Sequence, residues 1–447
     1  MNLQLLHMAL LPVSVCVLVA GIWLIGLIGT RYGWSAELQR KAVHVATGLF
    51  AMALPWLLPD AMLFYGLLAL AILVMVVLRL PQIAKGDVGK ALHGVERKSW
   101  GDVMLVAAIG TLYFFSEQAS IPVLYLLPLA VLTLSDAAAA VAGSSYGRLH
   151  YAIEDGQKSI EGSAIFFLVT LILAMVFLLL LSDISRGGVI LLALITAAFA
   201  TVVEADSWRG FDNYFVPVGV LLLLNAHLDS APWFLGLLAL GFLVAFSLIR
   251  AYGGALLGLS RHTARAYTVG LFMIGAVTAL PNMVMPALAL VAQTFARKNN
   301  PSTARHPDLD MLAMIAVLSF ATLIGGMALG RSAISFYAIA CGAITVQCAL
   351  LAFADHALWQ KLALGAVLVG ALVLGVAALI TLNPLVSQWH GSMVPVILAA
   401  ILLPAILSGA RPGFYREARY AKIGIVAGLI PLAAYAYLFT TPQGFVP

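Results

Sequence analysis

The chain has 447 residues, of which 63% are hydrophobic and only 10% carry a charged side chain. This composition excludes a water-soluble globular protein of this length and indicates an all-α, polytopic integral membrane protein. The formal net charge of +5 does not indicate nucleic-acid binding, because the basic residues lie in short segments between apolar runs. In that position they act as signals of membrane topology.

Apolar runs of membrane-helix length recur along the whole chain. The first, 5–28, lacks a cleavage site in a polar context, so we expect it to be retained and not removed as a signal peptide. The run 267–296 is interrupted by Pro281, Asn282 and Pro286, and its halves are too short to span, which favours a re-entrant segment. The remaining runs predict about 14 transmembrane helices, at 5–28, 42–59, 61–80, 103–116, 121–143, 161–182, 188–203, 213–228, 231–250, 311–330, 332–353, 357–382, 392–410 and 422–440.

The distribution of Lys and Arg predicts the orientation of these helices. If 267–296 is re-entrant, every loop rich in Lys and Arg faces one side, which the positive-inside rule assigns to the cytoplasm. The loops with little positive charge, and both termini, then face the other side. We expect a multi-pass protein of a bacterial inner membrane whose polar clusters lie at the cytoplasmic face.

The acidic residues divide the chain into two parts. Of the 19 Asp and Glu residues, only Asp308, Asp310, Asp355 and Glu417 follow residue 233. We therefore predict two membrane domains, 1–250 and 251–447, the second of unknown role and without a comparable polar constellation. The three cysteines lie in apolar runs and predict neither a disulfide framework nor a metal site.

Asp136 lies inside an apolar run, where a carboxylate is costly and usually functional. Gly143 and Gly147 continue a stripe of small residues from Asp136, which allows close approach of a phosphate, although helix packing explains the stripe equally well. The segment 158–163, KSIEGS, then opens the next apolar run with a basic residue. The free amides at such a helix start attract anions.

Two further clusters precede Asp136 on the predicted cytoplasmic side. Lys41 and His44 are three residues apart at a helix start and therefore share a face, whereas Arg40 fits a topology anchor. The segment 96–102, ERKSWGD, fits contact with lipid headgroups slightly better than contact with a nucleotide.

A last cluster, rich in oxygen atoms, follows the central segment. Glu204 and Asp206 end one apolar run, and Asp212 and Asn213 begin the next. Together with Asp136 they form a candidate site for Mg²⁺, which prefers few carboxylates plus substrate phosphates, with Asp206 its weakest member. Basic helix starts beside carboxylates indicate phosphoryl or nucleotidyl transfer. The chain contains no P-loop and no protein-kinase signature, so any nucleotide site must have another design.

In their order, four segments resemble the motifs of one family: RKAVH at 40–44, SDAAAAVAGSSYG at 135–147, KSIEGS at 158–163, and Glu204 followed by DNYFVP at 212–217. The family is that of the polyprenol kinases, including phytol kinase, dolichol kinase and CTP-dependent diacylglycerol kinase, distantly related to phosphatidate cytidylyltransferases. The resemblance covers about residues 35–228. It departs from the family at Ser135, where glycine is usual.

The resemblance implies Mg²⁺-dependent transfer of the γ-phosphoryl group of CTP, or of another nucleoside triphosphate, to a prenol-type lipid alcohol such as phytol or dolichol. It implies catalytic roles for Asp136, His44 and Lys41. The implied phosphate-binding residues are Gly143, Gly147, Lys158, Ser159, Gly162 and Ser163. The implied metal ligands are Asp136, Glu204, Asp212 and Asn213.

Two alternatives remain open from the sequence. The same site could bind CTP and a lipid phosphate and produce a CDP-lipid. A transporter is the second alternative, because interrupted helices such as 267–296 often mark transport sites. The scarcity of acidic residues in the second domain argues against ion-coupled transport. The expected partners are thus a lipid alcohol, a nucleoside triphosphate and membrane lipid, but not nucleic acid.

Overall fold

The structure is a computed structural model that describes residues 3–78, 101–153, 156–207, 210–383 and 393–441. It confirms an all-α integral membrane protein, and within those ranges nine helical segments are long and apolar enough to cross a membrane. Two shorter apolar helices, Ala61–Val77 and Val394–Ala410, add to them. Each of the 14 predicted runs contains a helix, whereas the number that cross the membrane stays a prediction.

The chain packs as two compact units, Met1–Leu240 and Gly241–Pro447. The first contains α1 (Leu3–Arg31), α2 (Ala36–Leu57), α3 (Ala61–Leu78), α4 (Gly101–Ala119), α5 (Val123–Ala130), a π-helical turn (Val131–Ser135), α6 (Asp136–Tyr146), β1 (His150–Ile153), β2 (Gly156–Ser159), α7 (Ile160–Leu181), α8 (Arg186–Asp206) and α9 (Asp212–His227). The division falls inside α10 (Pro232–Leu257). The separate roles assigned to 1–250 and 251–447 stay predictions.

Helix α9 is an interior helix of the first unit. It has 16 residues and is buried continuously from Val216 to Leu224, where it packs against α4, α5 and α8. A helix that is apolar all round belongs in a core, which explains how so short a run remains ordered. Its first residue, Asp212, therefore lies at a fixed position.

A short antiparallel hairpin in the first unit was not predicted. Strands β1 and β2 pair His150 with Ser159 and Tyr151 with Lys158. The sequence indicated only a polar loop here, because each strand has four residues and too few apolar positions for an alternating pattern. The hairpin delivers Lys158 directly to the start of α7.

The second unit contains α11 (Arg261–Val277), a 3₁₀ turn (Leu280–Met283), α12 (Val284–Asn299), α13 (Pro307–Ala328), α14 (Ile334–Ala352), α15 (Leu358–Leu382), α16 (Val394–Ala410), a second 3₁₀ turn (Pro412–Tyr415) and α17 (Arg419–Thr440). Helix α14 is the centre of this unit, since nearly all of its residues are buried. It packs against α12, α13, α15, α16 and α17.

The predicted break in 267–296 is present as the turn between α11 and α12. Asn282 in this turn accepts a hydrogen bond of 2.7 Å from Asn383 and lines a small cavity with Ser335, near the start of α14. At 1.5 Å per residue, α11 and α12 are each about 25 Å long, close to the ~30 Å of a bilayer core. The re-entrant path stays a prediction.

The second unit contains buried polar contacts that the sequence did not indicate. Gln293 on α12 donates a hydrogen bond of 3.1 Å to the Tyr420 hydroxyl, and the Tyr415 hydroxyl donates one of 2.9 Å to Gln347. Arg297 and Asp308 form an ion pair of 2.5 Å. These residues are scattered singly along α12, α13, α14 and α17 and the second 3₁₀ turn, so no local pattern in the sequence reveals them.

Candidate active site in the first unit

Lys41 and Asp136 form a buried ion pair between α2 and α6. The Lys41 Nζ atom lies 2.6 Å from Asp136 Oδ2, and the two side chains are only 9% and 14% exposed. Helix α2 comes close to the π-helical turn because Gly48 has no Cβ atom; a Cβ there would overlap the side chain of Thr133. Two predicted catalytic residues, 95 positions apart in sequence, are thus brought into direct contact.

The π-helical turn sets the direction in which Asp136 points. A π turn holds one more residue than an α turn and therefore rotates α6 relative to α5. Ser135, the last residue of the turn, is fully buried and accepts a hydrogen bond of 2.9 Å from the Thr170 hydroxyl on α7. The departure from the family's usual glycine is therefore accommodated by a specific partner.

His44 lies beside the ion pair. Its Nε2 atom is 3.6 Å from Asp136 Oδ2 and 3.3 Å from the backbone carbonyl oxygen of Leu132. The longer of these distances exceeds that of a hydrogen bond, so Lys41 is the direct partner of Asp136. His44 shares the face of α2 that carries Lys41, as the spacing predicts.

Lys158 and Glu204 form a second ion pair, between β2 and the end of α8. The Lys158 Nζ atom lies 2.7 Å from Glu204 Oε1 and also donates to the backbone carbonyl oxygen of Glu204. Burial by itself lowers the pKa of Lys158, but the charge of Glu204 and the hydrogen bond to it outweigh burial and raise the pKa above its ordinary value. The ammonium group therefore stays charged at neutral pH.

Asp212 lies near both ion pairs. Its carboxylate interacts electrostatically with Asp136, Lys158 and Lys41, and Glu204 interacts with both Asp136 and Asp212. Three carboxylates and two lysines from α2, α6, β2, α8 and α9 therefore form one charged cluster. The sequence predicted all five members, and the fold brings them together.

The predicted metal ligands do not by themselves form a metal site among the described residues. In the part of the chain that the structure describes, no three His, Cys, Asp or Glu side chains lie close enough together to hold a metal ion. Asn213 donates its amide nitrogen to the carbonyl oxygen of Gly101 at 2.8 Å, which leaves only its oxygen for a metal. Mg²⁺ usually binds one or two carboxylates plus substrate phosphates, so this donor set fits a cation that arrives with a nucleotide.

The predicted glycines bring α6 close to the start of α7. A Cβ atom on Gly143 would lie 2.8 Å from Ser159 Oγ, and one on Gly147 would lie 2.9 Å from Ser159 Cβ. A Cβ atom on Gly162 would lie 3.0 Å from the carbonyl oxygen of Ala139. Close packing accounts for all three residues, and a contact with phosphate stays a prediction.

The first amides of α7 already donate to protein atoms. Ile160 donates to the carbonyl oxygen of Leu149 at 2.8 Å, and Gly162 donates to Ser159 Oγ at 3.1 Å, so Ser159 is the N-cap residue. The Ser163 hydroxyl lies 2.7 Å from the Tyr151 hydroxyl. Phosphate binding by these serines stays a prediction.

The sequence did not indicate two residues of the site, and most of one predicted cluster lies outside the described residues. No sequence signal distinguished Tyr151 or Thr170, because a single hydroxyl-bearing residue in a loop or a helix is common. Asp206 is buried at the end of α8. In the predicted cluster 96–102, only Gly101 and Asp102 belong to the described residues.

Comparison with known proteins gives one informative relationship. No family model matches the chain, and no solved structure matches it. The chain is 28% identical over 193 residues to a phytol kinase from Synechocystis sp., covering 42% of this chain and 78% of that protein. The protein is therefore similar to a polyprenol-kinase-type enzyme over less than half of its length.

Proposed function

We propose that the first unit is a lipid alcohol kinase that transfers the γ-phosphoryl group of CTP, or of another nucleoside triphosphate, to a prenol-type alcohol. The observation that carries the proposal is the presence of two lysine–carboxylate pairs, Lys41 with Asp136 and Lys158 with Glu204, with Asp212 near both. The similarity to a phytol kinase supports the same activity. The site is proposed to face the cytoplasm.

Positioning and charge neutralisation supply most of the catalysis in phosphoryl transfer. Lys158 and Lys41 would bind phosphate oxygens, and one or two of the carboxylates of Asp136, Glu204 and Asp212 would hold Mg²⁺ together with those phosphates. The bound cation would neutralise negative charge on the phosphates. Glu204 and Asp212 lie at the ends of apolar helices and Asp136 lies within an apolar segment. The lipid tail can therefore stay between helices while its hydroxyl reaches the cluster.

The proposed reaction uses Asp136 as the proton acceptor. The alcohol oxygen attacks the γ-phosphorus, and the bond from that phosphorus to the β-bridging oxygen breaks. The hydroxyl proton passes to the Asp136 carboxylate, and CDP leaves. His44 lies 3.6 Å from Asp136 Oδ2 and is placed to take that proton onward.

One assay tests the proposal against its enzyme alternative. The full chain, purified in detergent, is incubated with CTP, ATP, GTP or UTP labelled at either the α- or the γ-phosphate and with phytol, farnesol, dolichol, diacylglycerol or phosphatidate. We expect γ-label, and not α-label, in the product of a lipid alcohol, and no label with Lys158→Met. Transfer of α-label to phosphatidate would instead establish CDP-lipid synthesis, and absence of transfer to every acceptor would refute both.

A further inference from the structure

A hydroxyl pair lies beside Lys158. The Tyr151 hydroxyl on β1 is 2.7 Å from the Ser163 hydroxyl in the first turn of α7. Tyr151 stands directly opposite Lys158 in the antiparallel register. Side chains of directly opposed residues leave the same face of a hairpin and lie side by side.

Lys158 needs such support because its side chain is long. Its flexible four-carbon stem can adopt many rotamers, yet its Nζ atom lies 2.7 Å from Glu204 Oε1. The Tyr151 ring interacts electrostatically with both Lys158 and Glu204. Its place directly opposite Lys158 in the hairpin sets the phenol beside the ion pair.

Ser163 belongs to the KSIEGS segment, and the family resemblance assigns its hydroxyl to phosphate binding. Burial raises the pKa of Tyr151, so its phenol remains a hydrogen-bond donor at neutral pH. The phenol and the serine hydroxyl are both only partly exposed, and each is within bonding distance of the other. Ser163 thus has a protein partner that links α7 to β1 across Lys158.

We propose that Tyr151 is a positioning residue that holds Lys158 in its phosphate-binding orientation, and that Ser163 acts on nucleotide binding through Tyr151. This inference rests on the proposed function. If Ser163 acts through Tyr151, removing both hydroxyls has no larger effect on nucleotide binding than removing one. If Ser163 binds phosphate directly, the effects of the two substitutions are independent.

The test is a double-mutant cycle in the full chain with Tyr151→Phe, Ser163→Ala and the double variant. The first readout is the KM for CTP and kcat with a lipid alcohol. We expect each single variant to raise KM by about threefold to tenfold, with little change in kcat, and the double variant to be no worse than either. Ser163→Thr, which keeps the hydroxyl, should retain the wild-type KM.

The second readout requires no catalysis. Acylation of lysine amines, followed by mass spectrometry, gives the labelling rate of Lys158, with Lys41 in the same chain as the reference. Tyr151→Phe and Ser163→Ala should raise the rate at Lys158 and leave Lys41 unchanged. Tyr125→Phe is the control, because it removes a phenol that donates to the carbonyl oxygen of Ala51 elsewhere in the unit. It should change the labelling rate of neither Lys158 nor Lys41.

The outcomes separate this inference from the proposed function. Additive effects in the cycle, or a wild-type labelling rate at Lys158 in Tyr151→Phe, would overturn the positioning role. An impaired Ser163→Ala beside an unimpaired Tyr151→Phe would assign Ser163 to phosphate directly. If the wild-type chain phosphorylates no alcohol, the proposed function fails, while the labelling rates still show whether Tyr151 holds Lys158.

Discussion

Each lysine of the candidate site lies against a carboxylate, Lys41 against Asp136 and Lys158 against Glu204. A phosphate must therefore compete with a protein carboxylate for each lysine, and a cation must compete with a lysine for each carboxylate. Binding of the two together satisfies all four groups at once. Under the proposed function, the ion pairs would hold the charges in position until the substrates replace the internal partners.

The ion pair of Lys41 with Asp136 determines two expected effects of Asp136→Asn. The substitution should lower turnover by about 10²-fold or more if Asp136 accepts the hydroxyl proton. It should also lower stability, because Lys41 keeps its buried charge without its partner, and breaking a buried pair costs about 3–5 kcal/mol. The double variant Lys41→Met/Asp136→Asn removes the orphaned charge and should recover much of that stability without recovering activity.

Turnover and thermal unfolding of the wild type and these variants in detergent provide the measurement. The double variant is the control that separates catalysis from folding. If it folds as well as the wild type and still phosphorylates the lipid alcohol, Asp136 is not the proton acceptor, and Glu204 and Asp212 become the candidates.

At the scale of single elements, the π-helical turn Val131–Ser135 determines whether Asp136 faces Lys41. Deleting Leu134, a half-buried residue of the turn, should convert it to an ordinary α-helical turn. Since each residue of an α-helix advances about 100°, α6 would rotate by about that angle and Asp136 would leave Lys41. We expect loss of activity with most of the helical content retained, measured by turnover and far-UV circular dichroism.

Leu134→Ala is the matched control for that deletion, because it removes the side chain but keeps the register. Its activity should stay close to that of the wild type. A deletion variant as active as Leu134→Ala would show that the turn does not orient the catalytic carboxylate.

The elements of this protein differ in how far the sequence predicts them. The apolar runs predict the helices. Asp136 was identified because a carboxylate inside an apolar run is costly and therefore informative, and Lys41, Lys158, Glu204 and Asp212 because they lie at the starts or ends of predicted helices. The π turn and the hairpin were not predicted, since both depend on how α2, α7 and α8 pack around short local segments. The network around Gln293 in the second unit likewise arises from single residues on separate helices.

For the whole molecule, the charge distribution predicts a single orientation. The hairpin around Gln157 and the loop around Arg305 should both face the cytoplasm, because the loops rich in Lys and Arg then share one side. Single cysteines at these exposed positions, in a chain whose own three cysteines are replaced, should react with an impermeant reagent only after the membrane is opened. A cysteine near Asp183 should react in intact cells, and the reverse pattern would invert the orientation of the active site.

The division of labour between the units gives the final prediction. All of the proposed site residues belong to Met1–Leu240, but a cut at that boundary would sever α10, which continues to Leu257. A chain that ends at residue 260 keeps α10 whole and removes everything from α11 onward. It should retain most of the phosphoryl transfer, measured as turnover per folded molecule, with monodispersity and thermal unfolding in detergent as the tests of folding.

Lys158→Met in the same shortened chain is the control for transfer at the proposed site. A folded shortened chain without activity would show that the second unit supplies part of the catalytic machinery. The buried polar contacts of Gln293 with Tyr420 and of Gln347 with Tyr415 would be the first place to look for that part.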